Sequence, residues 1–262
     1  MKHVIREIKR SLGLKVGPKL ALKQDKPDSR DWHIDTLLAK VGAPAAVPAA
    51  GSVFSQFTII KDQGGTGSCE GQSVSNATRA AYLALGQMCP DLSALFIYYG
   101  SRSIAGGPII DEGAYIRDGI KTLQQVGECT ETVWPFIEGR VNSSPSWAAY
   151  RDATKRRGIR GYYAIPNGDV NRVKQALAAK IPVVGGWTLD NGFMNFYFKG
   201  VQEACTGPSV GNHAMFVESF QGDTFTLVNS WGYNYRESGR FRASSGFMAS
   251  GWSYWGIDVR GA

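Results

Sequence analysis

The sequence predicts an α+β domain with segregated halves, helices first and strands later. Two observations carry this. After Cys69, apolar Val74, Ala77, Ala81 and Leu85 recur at helical spacing, whereas from Gly161 onward apolar residues gather in short β-rich runs separated by Gly, Asn or Asp. A third observation separates the N-terminus from the body. Residues 1–30 carry nine Lys/Arg against three Asp/Glu, and the remaining residues carry twenty against nineteen. The high pI therefore belongs to a tail, and the body lacks the basic excess expected of a nucleic-acid-binding surface.

Residues 1–51 read as a basic extension ending in a linker. Val4, Ile5, Ile8 and Leu12 share one face of a short amphipathic helix, and the Ala/Pro/Gly-rich stretch 41–52 joins this arm to residues 52–262, which form one domain. The first helix of that domain starts at Cys69 and stops at Gly86. A second covers Ser93–Tyr99. A third runs from Asp111 to Gln125 with Ile116, Ile120 and Leu123 inward, and a short one begins near Ser146.

Strands are expected over Gly161–Ile165, Ile181–Leu189, Ala214–Phe220, Thr224–Asn229 and Tyr254–Val259. A helix over Val170–Ala179 follows the start signal Asn167-Gly168-Asp169. Gln221-Gly222-Asp223 reads as a hairpin turn. The cleft between the two halves is the natural place for chemistry. No apolar run approaches the roughly 18 residues of a membrane-spanning helix. The basic start lacks the apolar core of a signal peptide, which points to a reducing, cytoplasmic setting. Cys69, Cys89, Cys129 and Cys205 lie far apart with no C-x-x-C pair, fitting neither a zinc site nor a disulfide framework.

The segment Lys61–Ser73 reads KDQGGTGSCEGQS. A cysteine that opens a helix sits at the positive end of its dipole, which favours the nucleophilic thiolate. Gln63, six residues upstream, offers a neutral amide donor that, beside the cysteine's own N–H, suits a developing oxyanion. Of the three histidines, His3 and His33 lie in the extension, and His213 opens the apolar strand HAMFVESF. Sixteen residues on, Asn229 ends the next strand across the hairpin, placed to accept from the second ring nitrogen of His213 and fix its tautomer.

Gln-x(5)-Cys with Gly-Ser before the cysteine, then Asn-His-Ala, then Asn-Ser-Trp-Gly, resembles the papain-like cysteine peptidases. The resemblance runs from Phe54 to Val259, and Gly127-Glu128-Cys129 to Trp134-Pro135-Phe136 looks like the compact bacterial and phage branch. It implies a papain-like fold and a peptidase that uses Cys69, His213 and Asn229 on polypeptide substrates. Gln63 then matches the oxyanion glutamine, and Trp231 the indole that shields the Asn–His hydrogen bond. Gly113 matches a glycine whose backbone pairs with extended substrate. No metal or organic cofactor is implied, and a phage-encoded member would suit a virion.

Two departures stand out. Glu70 follows the nucleophile where the family has Trp, and its charge is expected to face the leaving-group side of the cleft and select Lys or Arg there. Thr66 stands where the family has a cysteine, so the usual disulfide is absent. Rival readings are an amidase or transpeptidase acting on peptidoglycan or isopeptide bonds, and a silent scaffold or virion component hinted at by Glu70. The arm at 1–51 is expected to dock on an acidic partner or partly cover the cleft.

Overall fold

The structure, a computed structural model, describes residues 17–44, 46–53, 59–157 and 159–260; the amphipathic helix expected over residues 4–12 lies outside them. In chain order the described elements are β1 (Trp32–His33), α1 (Ile34–Lys40), β2 (Ala50–Ser52), α2 (Cys69–Ala84), α3 (Ala94–Ala105), α4 (Ile116–Gln125) and α5 (Trp147–Ala153). There follow β3 (Gly161–Ile165), α6 (Val170–Ala178), β4 (Val183–Asp190), β5 (Val201–Gln202), β6 (Ser209–Gln221), β7 (Thr224–Val228), β8 (Arg240–Ser244), α7 (Ser245–Ala249) and β9 (Trp252–Asp258).

The helices start where small polar residues supply a cap. Ser93 accepts from the Phe96 N–H, Ser146 from Ala149, and Asp169 from Arg172, each satisfying a donor the helix leaves orphaned. The third expected helix begins five residues later than the pattern implied, at Ile116, because residues 111–115 run along the cleft instead.

The strands form one sheet in the order β1-β3-β9-β4-β6-β7-β8-β5, with β2 added beside β6. The pairings are antiparallel except at the edges, where β1 meets β3 and β5 meets β8 in parallel. The hairpin between β6 and β7 closes Gln221 against Thr224, with Gly222 at φ +56°. Helix α2 packs across β6, and Ser73 Oγ ties the two by donating to the Ala214 carbonyl at 3.0 Å. That contact ties the helical half to the sheet half at the cleft.

The described part of the extension is not detached. Ile34, Leu37 and Leu38 of α1 are buried in the core, β1 enters the sheet, and β2 pairs with the far end of β6. Its elements are short, so its packing depends on partners distant in sequence.

Candidate active site

Cys69 is the first residue of α2, following Ser68. The loop before it, which lacks the family's usual disulfide as expected from Thr66, is held by hydrogen bonds. Thr66 Oγ1 donates to the Gln63 carbonyl at 2.8 Å and shares a hydrogen with Ser68 Oγ at 2.7 Å. Asp111 Oδ1 accepts from the Gly67 N–H at 2.8 Å and from the Tyr98 hydroxyl at 2.8 Å. All four cysteines are free thiols.

On the opposite wall His213 lies in β6 and Asn229 just past the end of β7. His213 Nε2 is 2.8 Å from Asn229 Oδ1, and the Ser230 N–H donates to the same oxygen at 2.7 Å. An amide oxygen only accepts, so Nε2 carries the ring proton and a neutral imidazole keeps Nδ1 as its acceptor. Nδ1 has no hydrogen-bond partner among the described residues. Cys69 opens the helix whose Ser73 is hydrogen-bonded to Ala214, the residue after His213, so the two elements that carry the thiol and the imidazole meet here.

Trp231 covers this pair, its indole centroid 4.9 Å from that of His213. Phe196 stacks on the indole at 5.5 Å, and Phe193 and Tyr235 meet it edge-on. Such a wall excludes water from the His–Asn hydrogen bond and so strengthens it. Gln63 links the two walls. Its N–H donates to the Ser230 carbonyl at 2.8 Å, its Oε1 accepts from Ser230 Oγ at 2.8 Å, and its Nε2 donates to the Thr66 carbonyl at 2.7 Å.

The second hydrogen of Gln63 Nε2 meets a carbonyl of the chain's own extension, that of Lys19, at 3.2 Å. Residues 18–25 thread the cleft as a strap. Leu22 N–H donates to the Asn212 carbonyl at 3.1 Å and Lys23 N–H to the Ala114 carbonyl at 3.0 Å. The strap therefore bridges the sheet wall and the helical wall. Beyond it Asp25 is clasped by Trp255 Nε1 at 2.8 Å and by the Arg117 N–H, and Arg117 also pairs with Asp31 at 2.8 Å. The described part of the arm thus turns onto its own cleft.

With the strap seated, Cys69 and His213 are completely buried. Burial pushes the thiol up to about 12, against donation from the Ala214 N–H. Burial likewise pushes His213 down to about 4, against the Asn229 hydrogen bond. Both shifts favour thiol and neutral imidazole over the ion pair. Burial also lifts Asp25 to about 6, the Trp255 hydrogen bond and Arg117 opposing it.

The structure thus brings Cys69, His213, Asn229, Gln63 and Trp231 together. Gly113 and Glu70 need correction. Gly113 sits at φ +82°, and a Cβ there would overlap the Ala21 carbonyl of the strap, so glycine is required for the close approach. Its N–H, however, donates toward Tyr98 Oη at 2.9 Å, and the carbonyl that pairs with the extended strap belongs to Ala114. Glu70 does not face the leaving-group side. It is fully buried within the helical layer, its carboxylate against the bare Cα of Gly119 and near Ile97. Sequence reasoning missed Asp111 and Ser230. Asp111 sits just before a glycine turn and carries no spacing signal, whereas Ser230 lay inside the motif and was passed over.

A family model described as "Papain family cysteine protease" matches residues 52–253. A peptidase C1-like protein of Acanthamoeba polyphaga mimivirus is 28% identical over 202 residues, covering 72% of this chain and 65% of that protein. Peptidase 1 of Euroglyphus maynei is 27% identical over 190 residues, 70% of this chain and 56% of that protein. The chain thus spans between about half and two thirds of the length of these relatives. Among solved structures, xylellain, a cysteine protease from Xylella fastidiosa, superposes with a TM-score of 0.78 at 26% identity, over 94% of this chain and 98% of the other. Digestive procathepsin L 3 of Tenebrio molitor shares the fold, with a TM-score of 0.67 at 19% identity over 98% and 88% of the two chains.

Proposed function

The chain belongs to the papain family of cysteine proteases, and on that premise we propose that it is an endopeptidase acting through Cys69, His213 and Asn229. The observation that carries this reading is the 2.8 Å contact from His213 Nε2 to Asn229 Oδ1, which leaves Nδ1 as the ring's acceptor, with no hydrogen-bond partner among the described residues.

Once substrate replaces the strap, Nδ1 takes the thiol proton and Sγ attacks the peptide carbonyl carbon. The oxygen gathers negative charge between Gln63 Nε2 and the Cys69 N–H. His213, now charged, passes its proton to the leaving amine, and Asn229 holds the ring in line throughout. Water, deprotonated by the same nitrogen, then cleaves the thioester and frees the acid. Trp231 keeps the His–Asn hydrogen bond dry. Gln63 supports this reading because, among the described residues, the acceptor its Nε2 meets outside its own loop is a peptide carbonyl, that of Lys19.

Peptide-library digestion by the full chain, by the same chain carrying Leu22→Glu to unseat the strap, and by Cys69→Ala tests the proposal. Leu22 is buried in the strap, so a charge there expels it. Cleavage is expected from the Leu22→Glu chain and none from Cys69→Ala. Persistent cleavage by Cys69→Ala, or silence of the strap-free enzyme toward every peptide, overturns the reading.

A further inference from the structure

The strap shows what the cleft accepts beside the proposed oxyanion donor. Lys19 is the residue whose carbonyl meets Gln63 Nε2. In a substrate, the residue holding that carbonyl is the one immediately before the bond to be cut. The Lys19 side chain turns to the helical wall, where its ammonium donates to the Asp111 carbonyl and lies 3.6 Å from Asp111 Oδ2. The side chains of Lys19 and Asp111 are 29% and 13% exposed, so this ion pair is screened less than a surface one.

Asp111 is built for this task. Its Oδ1 is occupied by the Gly67 N–H and the Tyr98 hydroxyl, which hold the carboxylate in place and aim Oδ2 at Lys19. Gly67 lies two residues before Cys69, so the same hydrogen bond fixes the acid relative to the nucleophile. A competing cation is Arg102, whose guanidinium stacks on Tyr98 at 3.7 Å. Four of its five N–H donors go to the carbonyls of Tyr98, Ile110 and Val141 and to Asn142 Oδ1, which directs the guanidinium away from Oδ2.

We infer that Asp111 is a specificity-determining residue that receives a Lys or Arg side chain immediately before the scissile bond, and that Lys19 of the strap occupies this subsite in the closed chain. The inference rests on the peptidase reading above. It also replaces the expectation that Glu70 selects basic residues after the scissile bond: the basic preference moves to the other side of that bond and to a different acid.

The test uses the full chain carrying Leu22→Glu, with and without Asp111→Asn. Asparagine retains an oxygen for Gly67 and Tyr98 but loses the charge. Paired fluorogenic peptides differ only in Lys against norleucine before the scissile bond. The Lys/norleucine ratio of kcat/KM is expected to be about tenfold with Asp111 and to fall to about one with Asn. Equal ratios in the two chains overturn the inference.

A second measurement needs no turnover. In the chain with its native Leu22, Lys19→Met and Asp111→Asn are each expected to raise the rate of Cys69 alkylation by iodoacetamide several-fold, and the double variant no further. An unchanged rate in Lys19→Met overturns the subsite. Silence of the Leu22→Glu chain toward all peptides instead strikes the peptidase reading, and the alkylation series then decides the subsite alone.

Discussion

The two walls of the cleft bury charge in different ways. In the sheet wall Glu218 is buried beside Arg240, whose Nε donates to it at 3.0 Å, and buried Asp258 takes Arg260 at 2.7 Å. In the helical wall Glu70 has no hydrogen-bond partner among the described residues, and Glu128 takes the Ser75 hydroxyl through one oxygen while its other oxygen has none. Burial lifts Glu70 well above the usual carboxylate range and Glu128 to about 8, with Ser75 opposing the latter. The sheet wall compensates its buried carboxylates with cations, whereas the helical wall keeps them protonated. The wall that aims His213 is therefore held by paired charges and stacked rings, and the wall that carries Cys69 depends on pH.

The sharpest way to break this comparison is to take one proposed chemical group from each wall. In the Leu22→Glu chain, His213→Ala is expected to lower kcat by about four orders of magnitude or more, and Gln63→Ala by about a hundred- to a thousandfold with little change in KM. Steady-state kinetics on one fluorogenic peptide measures both. A Gln63 effect confined to KM removes its oxyanion role, and near-normal turnover in His213→Ala removes the mechanism.

The next effect concerns rigidity of the sheet wall. Trp231→Ala empties the space between Phe196, His213 and Tyr235 and is expected to cost about 3–5 kcal/mol in urea unfolding. A loss under about 1 kcal/mol would show that the aromatic wall collapses around the gap and contributes little to holding His213.

Glu128 and Glu218 then set the walls against each other directly. The folded-state value of Glu128 is raised from the ordinary 4.5 to about 8, so its contribution is fully present below about 4.5 and is lost as pH rises toward 8. That slope is about 1.4 kcal/mol per pH unit from this group alone. Glu128→Gln is expected to remove it, leaving the variant more stable than the parent at pH 9. Glu218→Gln is expected to be destabilising by about 1–2 kcal/mol, because it discharges one side of a charge-assisted pair. Chemical denaturation at pH 5, 7 and 9 reads all three chains. Parallel pH profiles for parent and Glu128→Gln defeat the comparison.

The smallest effect is at Glu70. Facing Gly119 and not the cleft, it has no route to substrate side chains, so Glu70→Gln is expected to leave the cleavage profile of the Leu22→Glu chain unchanged. A changed preference after the scissile bond would return Glu70 to the cleft.

Much of this was legible in the residues themselves. Periodicity and caps locate α2, α3 and α6 within a residue or two of their starts, because 3.6-residue spacing and N-cap chemistry are local. The strands at 161–165 and 224–228 and the 221–224 turn are local in the same sense. The three motifs around Cys69, His213 and Asn229 mark the site because each couples a reactive side chain to the backbone geometry that aims it. Strands β1, β2 and β5, and helix α1, were not legible: they are short, and what stabilises them is burial against partners far along the chain.

What the sequence by itself determined is the chemistry on offer: a thiol at a helix start, one histidine in the body, an asparagine across a hairpin and a basic arm. Tertiary structure decided how each is spent. It turned Glu70 into the helical layer, gave Gly113 to close approach and Ala114 to pairing, set Asp111 beside Gly67, and laid residues 18–25 across the cleft. The physical reason is range. Propensity, capping and turn chemistry act within about four residues along the chain, whereas burial and charge pairing depend on which distant segments meet. Lys19 and Asp111 are ninety-two residues apart, and only the fold brings them together.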